Sequence, residues 1–317
     1  MKVVLIAYSF KKGGAAIAAA KFAKIAEIFS DVKVIDQTKS GIIHFLKRLI
    51  SYVLSKIQYN ANPIKHSLNL FSYSQILNIF NDDDIFHFHW MNNDTLSIFD
   101  FDKIPKGSVI TLHDEWLYCG AEHYYNVEDK NGILAFINGY HFFKKGVWGL
   151  HWNYIVWKVK LNKLSRRSDL IYTVPSTWML SRSKQSLILR NSDVRLLPNP
   201  VDTDIFHRLS HNKIVQYRQS IGFDADDILL AFGAIGGKSN YLKGANLLDE
   251  ALYILSKDDS VCHKKIKLVN FGGKSQGKCF IHGFENISFG HISEQSELVL
   301  LYSSVDCVVV PSLVESF

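Results

Sequence analysis

Short apolar runs of four to six residues recur along this chain with longer, helix-patterned stretches between them, and that rhythm constrains the fold more than any other feature. The runs are Val3–Tyr8, Val32–Ile35, Ile85–His89, Val109–Leu112, Leu170–Val174, Leu229–Phe232, Ile266–Phe271 and Cys307–Val310. The alternation predicts parallel α/β architecture. It is interrupted once, at Leu196-Leu-Pro-Asn-Pro-Val-Asp-Thr-Asp-Ile-Phe206, where prolines, Asn and Asp break regular structure, and it restarts beyond. With 317 residues the chain is long enough for two cores, so it divides into two Rossmann-like units, residues 1–196 and 207–317, joined by a linker at 197–206. The second unit shows only about three strands, too few for a sheet of the usual size, and is expected to be incomplete.

Composition excludes several classes. Apolar residues at 47% and charged residues at 21% rule out a disordered or low-complexity chain. Cys119, Cys262, Cys279 and Cys307 are widely spaced and show neither a zinc pattern nor a disulfide framework, which fits a reducing cytoplasm. The start, MKVVLIAYSFKKGGAAIAAA, mimics a signal peptide, but Val3–Phe10 is short for its apolar region and Lys11-Lys12 interrupt it, so it reads as a first buried strand. No window reaches the ~18 uncharged apolar residues of a membrane span.

The net charge of +6 is unevenly placed: residues 130–168 carry eight Lys or Arg and no Asp or Glu. Such a block attracts phosphate, anionic lipid or nucleic acid. Residues 41–57 form a basic amphipathic helix with Ile42, Leu46, Leu49, Ile50, Val53 and Ile57 on one face and His44, Lys47, Arg48, Ser51 and Ser55 on the other. Packing of the apolar face on the protein's own core is the favoured reading; lying on an anionic membrane is the other. Trp148–Leu164 mixes aromatic and basic side chains, which also suits single-stranded nucleic acid, but no nucleic-acid-binding motif accompanies it and that partner is not expected.

The chemistry-bearing residues sit at strand ends, where open α/β sheets bind ligands. Gly13 and Gly14 follow the first strand and open an Ala-rich helix, whose free amides favour phosphate. His89, Trp90 and Asn92 end one strand, and His113 and Asp114 end another, so polar groups from two strands gather toward a cleft. For His87 and His89 taken singly, a satisfied core histidine is the favoured reading. Asn81–Asp84 contains Asp-x-Asp but precedes a strand, and reads as a solvated turn; no metal site is expected. In the second unit Gly233 begins a glycine-rich loop, Lys243 stands at a helix start where it can neutralise a diphosphate, and Glu315 lies just past the last strand.

Taken in order, Gly13-Gly14-Ala15, His89-Trp90-Met91-Asn92, Thr111-Leu-His-Asp114, Pro175-Ser-Thr-Trp178, Leu197-Pro-Asn-Pro-Val-Asp202 with Phe206, Phe232-Gly-Ala234, Lys243-Gly244 and Pro311-Ser-Leu-Val-Glu315-Ser-Phe resemble family 4 glycosyltransferases of GT-B fold. The likeness runs the length of the chain and is greatest to the bacterial branch that builds exopolysaccharide, capsule or O-antigen, similar to colanic-acid glycosyltransferases. It implies two Rossmann-like domains facing a cleft and retaining, metal-independent transfer of a sugar from a nucleotide-diphosphate donor to a lipid-linked or glycan acceptor at the inner membrane face. No cofactor beyond the sugar nucleotide is implied. By the same resemblance Lys243 meets the diphosphate, Gly13 and Gly14 let the loop approach donor phosphate and acceptor, His113 sits beside the donor sugar, and Glu315 meets its hydroxyls.

The chain departs from the family in three places. Leu242, not Arg, precedes Lys243, Cys119 stands alone, and the second Glu of the signature beginning at Glu315 is missing, as if the chain were truncated. A nucleotide-sugar epimerase of the same fold and a non-catalytic remnant that binds membrane or acceptor are the rival readings.

Overall fold

The structure is a computed structural model that describes residues 1–58, 64–125, 134–143, 148–233, 241–260 and 262–317. Lys130, Lys144 and Lys145 of the basic block and Ala234–Gly237 of the glycine loop lie outside the described residues. The chain separates into two compact units, one of Met1–Pro200 with Ser316–Phe317 and one of Val201–Glu315.

The first unit runs β1 (Val3–Ala7), α1 (Gly14–Glu27), β2 (Val32–Asp36), α2 (Ile42–Ser55), α3 (Ser74–Asn78), β3 (Ile85–His89), β4 (Val109–Thr111), α4 (Ala135–Asn138), α5 (Trp152–Leu164), β5 (Ile171–Val174), α6 (Thr177–Gln185) and β6 (Asp193–Leu196). Among the described residues its six strands form one parallel sheet in the order β2-β1-β3-β4-β5-β6. Strand pleating turns alternate side chains to opposite faces. On β3 this sends Phe86 and Phe88 against Phe80, at ring distances of 5.3 and 6.1 Å, while His87 and His89 turn to Phe22 of α1, at 5.7 and 5.3 Å. The alternating imidazoles are therefore one face of a strand whose other face is aromatic core. That core continues through Ile110, Tyr172, Val174, Trp116, Tyr118 and Phe136, all buried.

The helix α2 reverses the favoured sequence reading. Its polar face is the inward one: His44, Ser51 and Ser55 are buried, Ser51 Oγ donates to Asp94 Oδ1 at 2.9 Å, and Arg48 donates to the Tyr8 hydroxyl at 2.9 Å. Ile42, Ile43, Phe45, Leu46, Leu49, Ile50, Tyr52 and Val53 are exposed, Ile42 at 75% and Ile43 at 71%.

The basic block is also largely consumed by structure. Lys160 is fully buried on α5, donating to the carbonyls of Trp116 and Gly120 above the Trp116 ring. Lys163 pairs with Asp102 at 2.7 Å, and Arg167 pairs with Asp169 and donates to the carbonyls of Phe101, Asp102 and Ile104. Of the described members only Lys158 and Arg166 are exposed. A surface binding band over 130–168 loses most of its described charge.

The second unit runs α7 (His211–Ser220), β7 (Ile228–Gly233), α8 (Ala245–Leu255), β8 (Ile266–Phe271), β9 (Gln276–Ile281), β10 (Phe284–Phe289), α9 (Gln295–Ser304) and β11 (Cys307–Val308). Its described strands form a five-stranded sheet, β11-β7-β8-β10-β9, parallel except for β9, so the expectation of about three strands is corrected. The additional pair is a hairpin whose two turn residues, His282 and Gly283, have φ of 50° and 89°. Two left-handed residues give a turn whose twist matches that of the strands it joins. Strand β11 is an exposed sheet edge and not the buried strand its apolar run implied. It is pinned by more than backbone: Asp306 Oδ2 accepts from Arg218 at 2.9 Å and from the Leu229 amide at 2.8 Å, and Arg218 donates onward to the Ser304 carbonyl.

Candidate functional site

In the first unit the candidate residues collect at the carboxyl ends of β3 and β4. The parallel register sets His89 opposite Thr111, so the residues following each strand emerge side by side. His89 Nδ1 lies 3.0 Å from His113 Nε2, and Trp90, held at φ 43°, donates its indole N–H to Asp114 Oδ2 at 2.8 Å. Asp114 Oδ1 accepts the Trp116 amide at 3.0 Å, and Oδ2 also takes His123 Nδ1 at 2.6 Å. His123 Nε2 then faces the Ser67 hydroxyl at 2.8 Å and the Asn92 amide at 3.4 Å. Nδ1, facing the Asp114 carboxylate, carries a ring proton and donates it there. Burial pushes the Asp114 carboxyl up, but His123 and the Trp116 and Trp90 N–H groups outweigh it and hold the group below the ordinary carboxylate range.

This arrangement revises several sequence expectations. Asp114 points inward as a buried anchor, and His89 and Asn92 are buried as well, at 0% and 2% exposure, so neither is an open acceptor contact. His113 remains half-buried at the strand end. His123 and Ser67 were not singled out from sequence; they lie 9 and 47 residues from Asp114, and nothing in spacing connects them. Ser67, His123 and Asp114 follow the hydroxyl–imidazole–carboxylate order of acyl-transfer enzymes. Here Ser67 is buried and the series serves to fix Asp114 and the loop that carries His113.

The His89–His113 pair has a definite polarity. Burial depresses both rings, His113 to about 4 and His89 well below its ordinary value, so both are neutral near pH 7. His89 Nε2 is buried with no partner. A buried orphan N–H is rarer in folded proteins than a bare acceptor. The His89 proton therefore sits on Nδ1 and donates to His113 Nε2, leaving His113 with its N–H on Nδ1 as a hydrogen-bond donor.

Gly13 has φ +100° and precedes the first residue of α1, Gly14; a Cβ on either meets nothing within 4 Å. The helix thus presents free amides at an uncrowded end, the physical requirement for an anion.

In the second unit Lys243 and Glu315, 72 residues apart, form an ion pair, and Ser312 Oγ donates to Glu315 Oε1 at 2.7 Å. The Leu313 amide donates to the Leu242 carbonyl at 2.9 Å, bringing the segment after β11 against the start of α8. Gly244 makes this approach: its φ is +66°, and a Cβ there would lie 1.9 Å from the Pro311 carbonyl oxygen. Gly233 has a different reason for being glycine, because a Cβ would meet the Phe271 ring at 2.2 Å. Its smallness serves packing of β7 on β8. Among the described residues no group of three or more His, Cys, Asp or Glu is placed to hold a metal ion. The Asn81–Asp84 segment is a turn, with Asn81 Oδ1 accepting the amides of Asp83 and Asp84 at 2.9 Å each. No described helix is long and apolar enough to cross a membrane.

No protein-family model matches the sequence, and no match was found among curated proteins. Solved structures are similar in fold. Anabaena HepE in complex with UDP-glucose superposes with a TM-score of 0.53 at 13% identity, over 100% of this chain and 75% of that one. WaaG, a glycosyltransferase involved in lipopolysaccharide biosynthesis, gives 0.53 at 14% identity, over 98% and 75%. A trehalose-6-phosphate structure from E. coli, bound with UDP-2-fluoro glucose, gives 0.56 at 9% identity, over 100% and 79%. The chain thus has the GT-B fold, with two Rossmann-like α/β domains like those of nucleotide-sugar glycosyltransferases.

Proposed function

We propose that this chain is a hexosyltransferase that moves a sugar from a nucleoside-diphosphate donor to a lipid-linked or glycan acceptor in surface-polysaccharide assembly. The observation that carries the reading is the meeting of Lys243 and Glu315 beyond the strand ends of the second unit, at a turn built around Gly244. A cation and a carboxylate side by side are the groups that a diphosphate and sugar hydroxyls require. Both side chains are about one-third exposed, at 32% and 34%. A pair exposed to that degree contributes only ~0–1 kcal/mol. A diphosphate therefore displaces Glu315 from Lys243 at little cost, freeing the carboxylate to accept from sugar hydroxyls.

Taken by itself, the first unit offers an anion contact at the α1 amides behind Gly13 and Gly14, and a donor in the His113 Nδ1–H, oriented by His89. Retention at the anomeric carbon, metal independence and the polysaccharide branch rest on the family resemblance.

Titration calorimetry with UDP-glucose and other nucleoside-diphosphate sugars tests the reading. Binding is expected for wild type, with a loss of about ten-fold or more for Lys243→Ala, given that charge-assisted bonds contribute roughly 1.5–3 kcal/mol. Glu315→Gln should weaken the sugar nucleotide more than the bare nucleoside diphosphate. Absence of binding for every donor tried would reject the proposal.

A further inference from the structure

We infer that the first unit holds a second small-molecule site, apart from the strand-end residues, in which Arg166 and Arg190 bind the phosphate of a phosphorylated sugar. The site is a cavity of about 530 Å³ between the end of α5 and the turn that precedes β6. Pockets for small ligands usually measure roughly 300–1,000 Å³. Its walls are fixed by the fold. On one side α5 ends at the buried Leu164, and the Ser165 amide closes the helix on the Leu161 carbonyl at 3.1 Å. On the other the Leu187 amide donates to the Phe136 carbonyl and the Arg190 amide to the Ser186 carbonyl, both at 2.9 Å. Ile188 is buried, which roots this turn in the core while Arg190 and Asn191 stay exposed.

The polar side chains that line the cavity are uncommitted. Within the described residues Asn162, Ser165, Arg166, Arg190 and Asn191 make no side-chain hydrogen bond or ion pair. Their neighbours differ: Lys163 is held by Asp102 and Arg167 by Asp169, each at 2.7 Å, and Asp193 is held by Arg195 at 2.5 Å. A cation near a helix end is ordinary, because the last carbonyls attract it. Two arginines from separate segments lining one cavity, with no carboxylate among the lining residues, are not, since like charges repel until an anion lies between them.

The lining selects the ligand. Guanidinium groups match phosphate oxygens in paired hydrogen bonds, and a cleft carrying one sign of charge concentrates anions from solution. The lining residues include no aromatic ring, so a nucleobase finds nothing to stack on. The Asn162 and Asn191 amides and the Ser165 hydroxyl instead suit sugar hydroxyls. The cavity lies at the opposite edge of the sheet from the candidate site of the same unit. Arg166 precedes β5 and Asn191 precedes β6, at the amino ends of parallel strands, whereas Gly13 and His113 follow β1 and β4 at the carboxyl ends. A ligand held here stands outside the proposed transfer.

Titration calorimetry of the full chain with glucose 6-phosphate, inorganic phosphate and glucose tests it. Wild type is expected to bind glucose 6-phosphate best, inorganic phosphate more weakly, and glucose not at all at the same concentrations. Arg166→Gln and Arg190→Gln each replace an exposed side chain without a partner among the described residues. The urea transition without ligand should therefore stay in place while affinity falls about ten-fold or more. Asn162→Ala with Asn191→Ala should weaken glucose 6-phosphate and leave inorganic phosphate unchanged. Lys243→Ala should leave glucose 6-phosphate binding intact, and the two arginine variants should leave UDP-glucose binding intact, so failure here and failure of the transfer reading are separable. No binding by wild type, affinity unchanged without both arginines, or affinity lost with Lys243 would each overturn the inference. Inorganic phosphate bound as tightly as glucose 6-phosphate would overturn the assignment of a sugar.

Discussion

Substituting Gly244 by alanine tests the architecture of the second-unit site directly. Alanine at φ +66° incurs roughly 1–2 kcal/mol of left-handed strain. Its Cβ would also stand 1.9 Å from the Pro311 oxygen, whereas non-bonded carbon and oxygen rest at about 3.3–3.6 Å, so the segment must retreat by roughly 1.5 Å. That retreat breaks the Leu313–Leu242 backbone bond, at about 1 kcal/mol. The sum is roughly 2–3 kcal/mol, and Glu315 leaves Lys243. The remaining glycines provide the comparison. Gly13→Ala meets nothing and incurs only the conformational strain, and Gly14→Ala, inside the helix, should be neutral or stabilising by up to about 1 kcal/mol. All six tryptophans, at 90, 116, 148, 152, 157 and 178, belong to the first unit, so their fluorescence follows that unit while far-ultraviolet ellipticity follows both. In urea, Gly244→Ala should lower the ellipticity transition, leave the fluorescence transition in place and weaken sugar-nucleotide binding. A Gly244→Ala protein whose ellipticity curve overlays wild type would refute the steric argument.

Burial depresses His66, His87 and His113 to about 4 in the fold, below the value of about 6.5 they take when unfolded, so the native state binds fewer protons between those limits. Stability from these rings is present above pH 6.5 and is lost as pH falls toward 4, by up to about 1.4 kcal/mol per pH unit for each ring, and urea midpoints at pH 7, 6 and 5 should fall accordingly. Lys160 is driven by burial to about 7, so between pH 7 and about 10.4 the unfolded chain holds the extra proton and stability rises with pH. Lys160→Met should remove the rise between pH 7 and 9, and a variant that keeps it would place the titration elsewhere. For His89, asparagine offers an amide N–H near the Nδ1 position while leucine offers none. His89→Asn should therefore retain turnover far better than His89→Leu with similar KM, and equal loss in both would count against the assigned proton.

The strands that sequence exposed best are those buried by both faces of a parallel sheet, because their apolar runs are continuous. Asp193–Leu196, Gln276–Ile281 and Phe284–Phe289 have no continuous apolar run: charged or exposed residues fill the first two, every residue of Gln276–Phe280 facing water, and Glu285-Asn286 interrupt the third. Periodicity located the two faces of α2, but a hydrophobic stripe says only that the faces differ, not which one meets the protein. His113 and Asp114 could be picked out by their place at a strand end. That Asp114 turns inward depends on Trp90, His123 and Ser67, brought together by tertiary packing alone.

The order of the strands has a consequence for assembly. In the first sheet β1 seeds the middle, β2 adds on one side, and β3 through β6 then add in succession on the other, so each arriving strand finds a neighbour already in place. Such a sheet can grow along with synthesis. The second sheet closes differently: β11 returns past three strands to pair with β7, a long-range contact whose loop-closure entropy must be met before any pairing rewards it. Only that return delivers Glu315 to Lys243, so the second-unit site forms after the strands between them have paired.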